Sequence, residues 1–270
     1  MQSNSLKRQA IVSSLAVRAR TTGTEVTMEA GEAAEKRAAE ESSPPPAKRQ
    51  QTAPDAAKPI LVVLPGSSSV LANDMQSLLM PELEARFDVR VRPGSDVDGG
   101  KKWAGWNPST NAAKVVNDLG ICPTEPDAEP WYVLGCSFGC RVACSIVSDG
   151  LTPVAPGLVL MGYPMYGPKD NDNKEARVQH IQALPATAKV LAISGGKDPA
   201  LNKDAPDLKG QELWDSVVEG MQCSANVTVK LNAKGGHGVY EGGKSEAAQA
   251  RHAEATNSFM QWIDEFAGTV

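Results

Sequence analysis

From Pro59 onward the chain alternates between two patterns of hydrophobic and polar residues. Short runs rich in Leu, Ile and Val, apolar on both faces, indicate strands that are buried inside a sheet, and longer stretches between them have helical periodicity. The predicted strands are 60–64, 89–92, 131–134, 157–161, 189–193 and 226–231. The predicted helices are 74–87 (interrupted or restarted at Pro81), 110–119, 138–148, 174–184, 210–221 and 245–266. This order predicts an α/β fold with a mostly parallel sheet of about six or more strands and helices on both faces.

Residues 1–58 have a different composition. They contain no Phe, Trp or Tyr and are rich in Ala, Glu, Ser and Pro. Such a segment cannot bury enough apolar surface to offset the entropy of ordering its backbone. We therefore expect a disordered leader at 1–58 and a single folded domain at 59–270.

The leader has features of two targeting signals. No acidic residue precedes Glu25, and the basic residues there are mixed with Ser and Thr, as in organellar transit peptides. The basic pairs Lys36-Arg37 and Lys48-Arg49 have the spacing of a two-part nuclear import signal. A solvated leader with scattered charges is the third interpretation.

Charge, hydropathy and cysteine usage exclude several classes of protein. Of the 27 Lys and Arg, nine lie in residues 1–58, and of the 32 Asp and Glu, seven do, so the remainder carries 18 basic against 25 acidic residues. This acidic body is a poor nucleic-acid binder, and no apolar stretch is long enough to span a membrane. The five cysteines form no Cys-x-x-Cys pair, which argues against a disulfide framework and structural zinc. We expect an intracellular protein, cytoplasmic unless residues 1–58 direct it to an organelle or the nucleus; its oligomeric state stays open.

A nucleophile motif lies at the centre of the chain. The third predicted strand leads into Gly135-Cys136-Ser137-Phe138-Gly139, and a helix follows directly. A Gly-x-Ser-x-Gly sequence between a strand and a helix is typical of a nucleophile elbow, in which Ser137 occupies a strained turn. Gly135 and Gly139 are then required where a Cβ would collide with the neighbouring strand or helix.

Two further loops carry an acid and a base. Gly196-Lys197-Asp198-Pro199 follows the fifth predicted strand, and Gly236-His237-Gly238 follows the sixth. The carboxyl ends of parallel strands meet at one edge of the sheet, and the order Ser, Asp, His is that of α/β-hydrolases. Two alternatives stay open: Asp198 could cap the segment that follows it, and Asp204 could replace it as the acid.

The remaining histidines and three cysteines receive structural interpretations. His180 and His252 lie in helical stretches, and we expect both at the surface. Cys136, Cys140 and Cys144 are spaced four residues apart, which suggests small buried packing residues. A redox role for Cys136 beside the nucleophile is the alternative.

The motifs carry a resemblance to a known family. Residues 135–143, the sequence Leu160-Met161-Gly162-Tyr163-Pro164, and the two loops that hold Asp198 and His237 resemble the α/β-hydrolase fold from about Lys58 to the end of the chain. More narrowly, they resemble the dienelactone-hydrolase-related branch shared by testis-expressed protein thirty and NSL complex subunit three. The family often has His-Gly in its first loop, where this chain has Pro65-Gly66, so the oxyanion-hole geometry stays open. Dienelactone hydrolases proper carry cysteine where Ser137 stands.

If the three residues meet, their chemistry predicts a mechanism. Ser137 is the nucleophile, His237 the general base and Asp198 the acid that orients it, and the backbone N–H groups of Phe138 and Ser67 form the oxyanion hole. The reaction is hydrolysis of an ester, thioester or related acyl bond of a small molecule, and it requires no metal or organic cofactor.

The substrate site is predicted to be an open cleft without a large lid. Its candidate lining residues are Trp103, Trp106, Met161, Tyr163 and Tyr166. The two tryptophans could instead anchor their glycine-rich loop to the core. The alternative function is a catalytically silent interaction module or scaffold in a nuclear chromatin-modifying complex, as the resemblance to the NSL subunit implies.

Overall fold

Six parallel strands form one sheet in the part of the chain that the structure describes. In this computed structural model the described residues are 58–67, 72, 74–92, 103, 105–120, 130–166, 174–202, 210–243 and 245–270. The strands are β1 (Ile60–Leu64), β2 (Asp88–Val91), β3 (Trp131–Cys136), β4 (Gly157–Met161), β5 (Val190–Gly195) and β6 (Val227–Asn232). Their order in the sheet is β2-β1-β3-β4-β5-β6, which confirms the predicted fold class. The predictions for residues 1–57 and for Asp204 lie outside the described residues.

Two strands extend two residues further than predicted at their carboxyl ends. β3 and β5 were expected to end at Leu134 and Ile193, but each continues for two residues. Gly135 pairs with Leu64 and Gly195 pairs with Asn232 in the parallel ladder. Glycine is a poor strand former on its own, so these ends are set by the neighbouring strands.

The helices surround the sheet. They are α1 (Met80–Arg86), α2 (Pro108–Leu119), α3 (Phe138–Ser148), α4 (Lys174–Gln182), α5 (Pro199–Asn202), α6 (Gly210–Glu219) and α7 (Glu246–Ala267). A π-helical turn, Met75–Leu79, precedes α1, and Pro81 stands in the first turn of α1, where its missing N–H is not needed. The predicted restart near Pro81 is therefore observed. Helix α5 was not predicted, because four residues are too few to show a helical period.

Alternate residues of the four central strands, β1, β3, β4 and β5, pack into two separate cores. On β1, Val62 and Leu64 join the core beneath α2, α3, α4 and α6. Leu61 and Val63 point to the opposite face and join the core beneath α1 and α7. Successive side chains of a strand point to opposite faces, so a strand that is apolar at every position needs helices on both sides.

The strand order has a switch point at β1. β1 is flanked by β2 on one side and by β3 on the other, so the chain leaves β1 in one direction and returns on the other side. In open α/β sheets, ligands bind at such a switch point, outside the carboxyl ends of the strands. The loops after β1 and β3 are therefore expected to border the functional site.

No helix among the described residues combines the length and the apolar composition needed to cross a membrane.

Replacing Ser194 with Ala should destabilise the fold. The Trp214 indole donates from Nε1 to Ser194 Oγ at 2.9 Å, and both residues are completely buried. Without the hydroxyl the indole N–H has no acceptor, which should lower the free energy of unfolding by about 1–3 kcal/mol. Urea unfolding measures this loss. The control is Ser216→Ala, which removes an exposed hydroxyl from α6 and should change stability by less than about 0.5 kcal/mol; equal effects would contradict the assignment.

Candidate active site

Ser137 occupies a strained turn between β3 and α3. Its backbone angles are φ 50° and ψ −116°, a region that residues other than glycine rarely adopt. The Ser137 N–H donates to the carbonyl of Met161 on β4 at 3.0 Å. Held in this way, the turn presents the Ser137 hydroxyl at the carboxyl edge of the sheet.

Gly135 and Gly139 allow this turn to form. A Cβ on Gly135 would lie 2.6 Å from the Cα of Cys140, in the helix that follows. A Cβ on Gly139 would lie 2.2 Å from the carbonyl oxygen of Leu64, at the end of β1. Both distances are far inside van der Waals contact, which is the collision with helix and strand that the sequence predicts for a nucleophile elbow.

The structure brings Ser137, His237 and Asp198 together. Ser137 Oγ lies 2.8 Å from His237 Nε2, and His237 Nδ1 lies 2.9 Å from Asp198 Oδ2 and 3.0 Å from Oδ1. When the Nδ1–H donates to the carboxylate, Nε2 of the neutral imidazole is free to accept the serine proton. The Asp198 side chain is fully buried, whereas that of His237 is 39% exposed. The arrangement can therefore pass a proton from a hydroxyl to an imidazole whose charge a buried carboxylate stabilises.

Asp198 also caps a helix. Its Oδ1 accepts the backbone N–H of Ala200, in the first turn of α5, at 2.7 Å. The capping role and the contact with His237 are alternatives in the sequence, but the structure contains both. The cap fixes the carboxylate while leaving Oδ2 available to His237.

The loop that holds His237 is stabilised by a residue that the sequence analysis missed. Asn232, the last residue of β6, donates from Nδ2 to the carbonyl of Val239 at 2.8 Å. Within the same loop the N–H of Gly236 donates to the carbonyl of Tyr240 at 2.9 Å. Val239 has φ 62°, which is strained for a β-branched residue. An amide at the end of the strand before a glycine-rich loop is the only sequence signal for this contact.

Gly162 allows the His237 loop to approach the sheet. It has φ 63°, and a Cβ there would lie 2.2 Å from the His237 carbonyl oxygen. Since no side chain fits at this position, glycine is required as the first residue of Gly162-Tyr163-Pro164. The element that marks the narrower resemblance thus lies against the histidine.

The candidate oxyanion donors come from the loops after β1 and β3. Phe138 is the first residue of α3, and the first N–H groups of a helix have no acceptor within the helix. Gly66 lies against Ser137: a Cβ added to it would be 3.4 Å from Ser137 Cβ and 3.9 Å from Oγ. Ser67 follows Gly66 and is exposed, and no hydrogen bond between described residues uses its N–H. Both donors therefore belong to backbone close to the serine.

Three predicted lining residues are instead buried in the hydrophobic core. Trp103 is only 7% exposed and donates from Nε1 to the Gly66 carbonyl at 2.8 Å, so it anchors its loop as the alternative interpretation predicted. Met161 and Tyr163 are 3% and 0% exposed, and the Tyr163 hydroxyl donates to the Arg177 carbonyl at 2.7 Å. These contacts correct the prediction that the three side chains line an open cleft.

Trp106 and Tyr166 are the lining candidates that are not buried. Trp106 is 68% exposed and packs edge-on against Phe138, with 5.4 Å between ring centroids. Tyr166 is half-buried, and its backbone N–H donates to the Ala200 carbonyl at 2.9 Å. Both residues stay candidates for contact with a substrate.

The other histidines are less exposed than predicted. His252 is buried; its Nε2–H donates to the Glu241 carbonyl at 2.6 Å, and Nδ1 lies 3.8 Å from a carboxylate oxygen of Asp74. His180 is half-buried beside the Ser145 hydroxyl, and desolvation, reinforced by Arg141, lowers its pKa. The prediction that both lie at the surface is wrong, because each helix turns its histidine toward a polar partner inside the fold.

The three elbow cysteines behave as packing residues. Cys140 and Cys144 are buried, and Cys136 is partly buried, with its thiol 3.3 Å from the Met75 sulfur. Burial raises the pKa of Cys136 to about 12. A thiol with this pKa contains almost no nucleophilic thiolate at neutral pH, which argues against the redox alternative. Within the described ranges, no group of three or more His, Cys, Asp or Glu side chains is arranged to hold a metal ion.

Comparisons with known proteins identify the family and the fold. A family model described as an alpha/beta hydrolase domain matches residues 107–264. Among solved structures, the chain is similar to an alpha-beta serine hydrolase homologue from Coxiella burnetii, at 13% identity and a TM-score of 0.51, over 77% of this chain and 87% of that one. A monoacylglycerol lipase from Paleococcus ferrophilus is similar at 14% identity and a TM-score of 0.48, over 76% and 96% of the two chains. No curated protein matches. At such identities the structural likeness concerns the fold alone.

Replacing Gly162 with Ala should cost more stability than replacing Gly150 with Ala. The two glycines have nearly the same φ, 63° and 62°, but a Cβ on Gly150 would meet nothing within 4 Å. Both variants should lose about 1–2 kcal/mol of unfolding free energy from backbone strain. Gly162→Ala should lose about 1–3 kcal/mol more, because its methyl group displaces the His237 loop. Urea unfolding of the two variants measures the difference, and equal losses would show that the contact with His237 is not rigid.

Proposed function

Because the chain belongs to the alpha/beta hydrolase domain family, we propose that it is a serine hydrolase of the carboxylic ester hydrolase class. Its substrate is a small molecule with an ester, thioester or related acyl bond. The observation that carries this proposal is the continuous hydrogen-bonded relay from the Ser137 hydroxyl through His237 to the buried carboxylate of Asp198.

The relay activates the serine. A serine hydroxyl is too weakly acidic to attack a carbonyl carbon unaided at neutral pH. His237 Nε2, 2.8 Å from Ser137 Oγ, accepts the proton as Oγ bonds to the substrate carbonyl carbon. The resulting imidazolium keeps its Nδ1–H on Asp198 and then returns the Nε2 proton to the leaving group. This step leaves the acyl group on Ser137.

Backbone N–H groups stabilise the tetrahedral oxyanion. We assign the two donors to Phe138, at the start of α3, and to Ser67, beside Gly66. A donor of this kind typically lowers the barrier by about 3 kcal/mol. Water, activated by His237, then attacks the acyl-enzyme through the same geometry and releases the acid.

The site favours catalysis over a purely structural role for the domain. A scaffold has no need for a serine in a strained conformation, φ 50°, whose hydroxyl bonds to a histidine. Nor does it need a fully buried carboxylate aligned with both oxygens toward that histidine. Strain of this kind persists at functional sites because the surrounding structure enforces it.

We propose that the chain belongs to the dienelactone-hydrolase-related branch of the family. The support is Gly162-Tyr163-Pro164, whose glycine lies against the His237 carbonyl and whose tyrosine is buried in the core beneath α3, α4 and α6. The substrates we propose are short or otherwise accessible acyl groups. Trp106, exposed beside Phe138, is the aromatic surface that such a group would meet first.

A fluorophosphonate probe tests this function directly. The probe reacts with a serine only when that serine is activated as a nucleophile, so it should label the wild-type protein stoichiometrically and leave Ser137→Ala unlabelled. A panel of p-nitrophenyl esters of graded chain length then identifies the preferred acyl group. Absence of labelling on folded wild-type protein would instead favour the interaction-module hypothesis.

Two substitutions of Asp198 should separate its two roles. Asp198→Asn keeps an oxygen that can cap α5, but its amide group cannot hold His237 in the required tautomer, so kcat should fall on the order of 10⁴-fold. Asp198→Ala loses the cap as well and should unfold about 1 kcal/mol more readily than Asp198→Asn. Ester hydrolysis and urea unfolding of both variants provide the comparison. Near-wild-type kcat in Asp198→Asn would remove Asp198 from the mechanism.

A further inference from the structure

The indole of Trp103 binds the loop that follows β1. Its Nε1–H donates to the carbonyl of Gly66 at 2.8 Å, across 37 positions in the sequence. Trp103 is 7% exposed, so this hydrogen bond has little competition from water. The bond fixes the direction of one carbonyl group, that of the peptide between Gly66 and Ser67.

A carbonyl and the N–H of the same trans peptide point in opposite directions. With the Gly66 oxygen directed at the indole, the Ser67 N–H must point away from Trp103. The same peptide lies beside the nucleophile, since a Cβ on Gly66 would be 3.4 Å from Ser137 Cβ. Trp103 therefore determines whether the N–H or the carbonyl oxygen of this peptide is available at the reacting centre.

Gly66 makes such control necessary. Glycine rotates about its backbone bonds more freely than any other residue, so the peptide after Gly66 can turn over at small cost unless something holds it. A reversed peptide would direct a carbonyl oxygen toward the oxyanion, where it would repel the developing negative charge.

Trp103 is itself held from two sides. The Arg92 guanidinium stacks on its ring, 3.7 Å from the centroid, and Phe138 meets it edge-on with centroids 5.4 Å apart. Arg92 is 3% exposed and directly follows β2, while Phe138 opens α3. The indole thus packs against Arg92, which follows the edge strand β2, and against Phe138, to which we assign the other oxyanion donor.

We propose that Trp103 is a positioning residue that orients the Gly66–Ser67 peptide so that the Ser67 N–H can complete the oxyanion hole. This inference rests on the proposed serine hydrolase function and deepens it. It assigns to a buried tryptophan a role in transition-state stabilisation that requires no contact with the substrate.

The chain offers a matched control in Trp131. It too is a buried tryptophan, 3% exposed, and its indole donates to a loop carbonyl, that of Val154, at 3.0 Å. Trp131 opens β3, whereas Ser137 follows the last residue of that strand, so the two are separated by roughly 20 Å of extended chain. Replacing either tryptophan with Phe removes a comparable hydrogen bond, but only one of these bonds lies at the site.

The test compares Trp103→Phe with Trp131→Phe. We expect Trp103→Phe to lower kcat by ~10–100-fold with KM changed less than about threefold, because the lost interaction acts in the transition state. The dissociation constant of an alkyl boronic acid, which forms a tetrahedral adduct with the serine, should rise in parallel. Trp131→Phe should keep kcat within about twofold of wild type despite a similar loss of thermal stability.

Two further arms keep the inference open to refutation. Should Trp103→Phe fail to fold, replacement of Trp103 by β-(3-benzothienyl)alanine keeps the shape of the indole and removes its N–H, and the same loss of kcat is expected. Equal kcat values in the Trp103 and Trp131 variants, or a rise in KM alone at Trp103, would overturn the positioning role while a fluorophosphonate-labelled wild type upholds the hydrolase. An unlabelled wild type would remove both the proposed function and this inference.

Discussion

The strained backbone of Ser137 is the constraint on which the site depends. A non-glycine residue at φ 50° and ψ −116° costs on the order of 1–3 kcal/mol, and here three neighbours enforce it. β3 precedes the serine, α3 follows it, and the Met161 carbonyl accepts its N–H. The packing is so close that neither Gly135 nor Gly139 could carry a side chain. The energy stored in this turn is offset by the sheet and helix on either side, and the result is a hydroxyl held 2.8 Å from an imidazole.

Hydrogen bonds between loops, rather than a strained turn, hold Asp198 and His237 in place. The ladder between β5 and β6 continues beyond the strands, since the N–H of Gly196 donates to the Asn232 carbonyl at 2.8 Å and that of Lys197 to the Gly235 carbonyl at 2.9 Å. These two bonds join the loop of Asp198 to the end of β6 and to the loop of His237. The Asn232 side chain adds a third bond, to the Val239 carbonyl. Backbone and side-chain hydrogen bonds therefore extend past the ends of the two strands to the point where the two side chains meet.

The sequence predicts the regular elements well, and the three side chains that it proposes for the site do lie together in the structure, for identifiable reasons. Strands that are apolar at every position can only be buried, and the elbow glycines have no other purpose at that spacing. Contacts between distant segments are different. Nothing local indicates that Trp103 bonds to Gly66, or that His252 bonds to the carbonyl of Glu241. Tyr163 follows the last strand residue by two positions and looks available to a ligand, yet α4 supplies a carbonyl for its hydroxyl. Burial at such positions depends on where the helices pack against the sheet, and this packing cannot be predicted from a single sequence.

The strand before Ser137 and the strand before His237 are not equally well supported by neighbouring strands. β3, which precedes Ser137, has a neighbour on each side, whereas β6, which precedes the loop of His237, pairs only with β5 among the strands that the structure describes. Edge segments open locally at a lower free energy than interior ones. A fluctuation at this edge would withdraw the imidazole while the elbow stays folded, and the molecule would pass reversibly through a dormant form that keeps its global fold. For the hydrolase that we propose, the active fraction of molecules would then follow the local stability of the last strand and its loop.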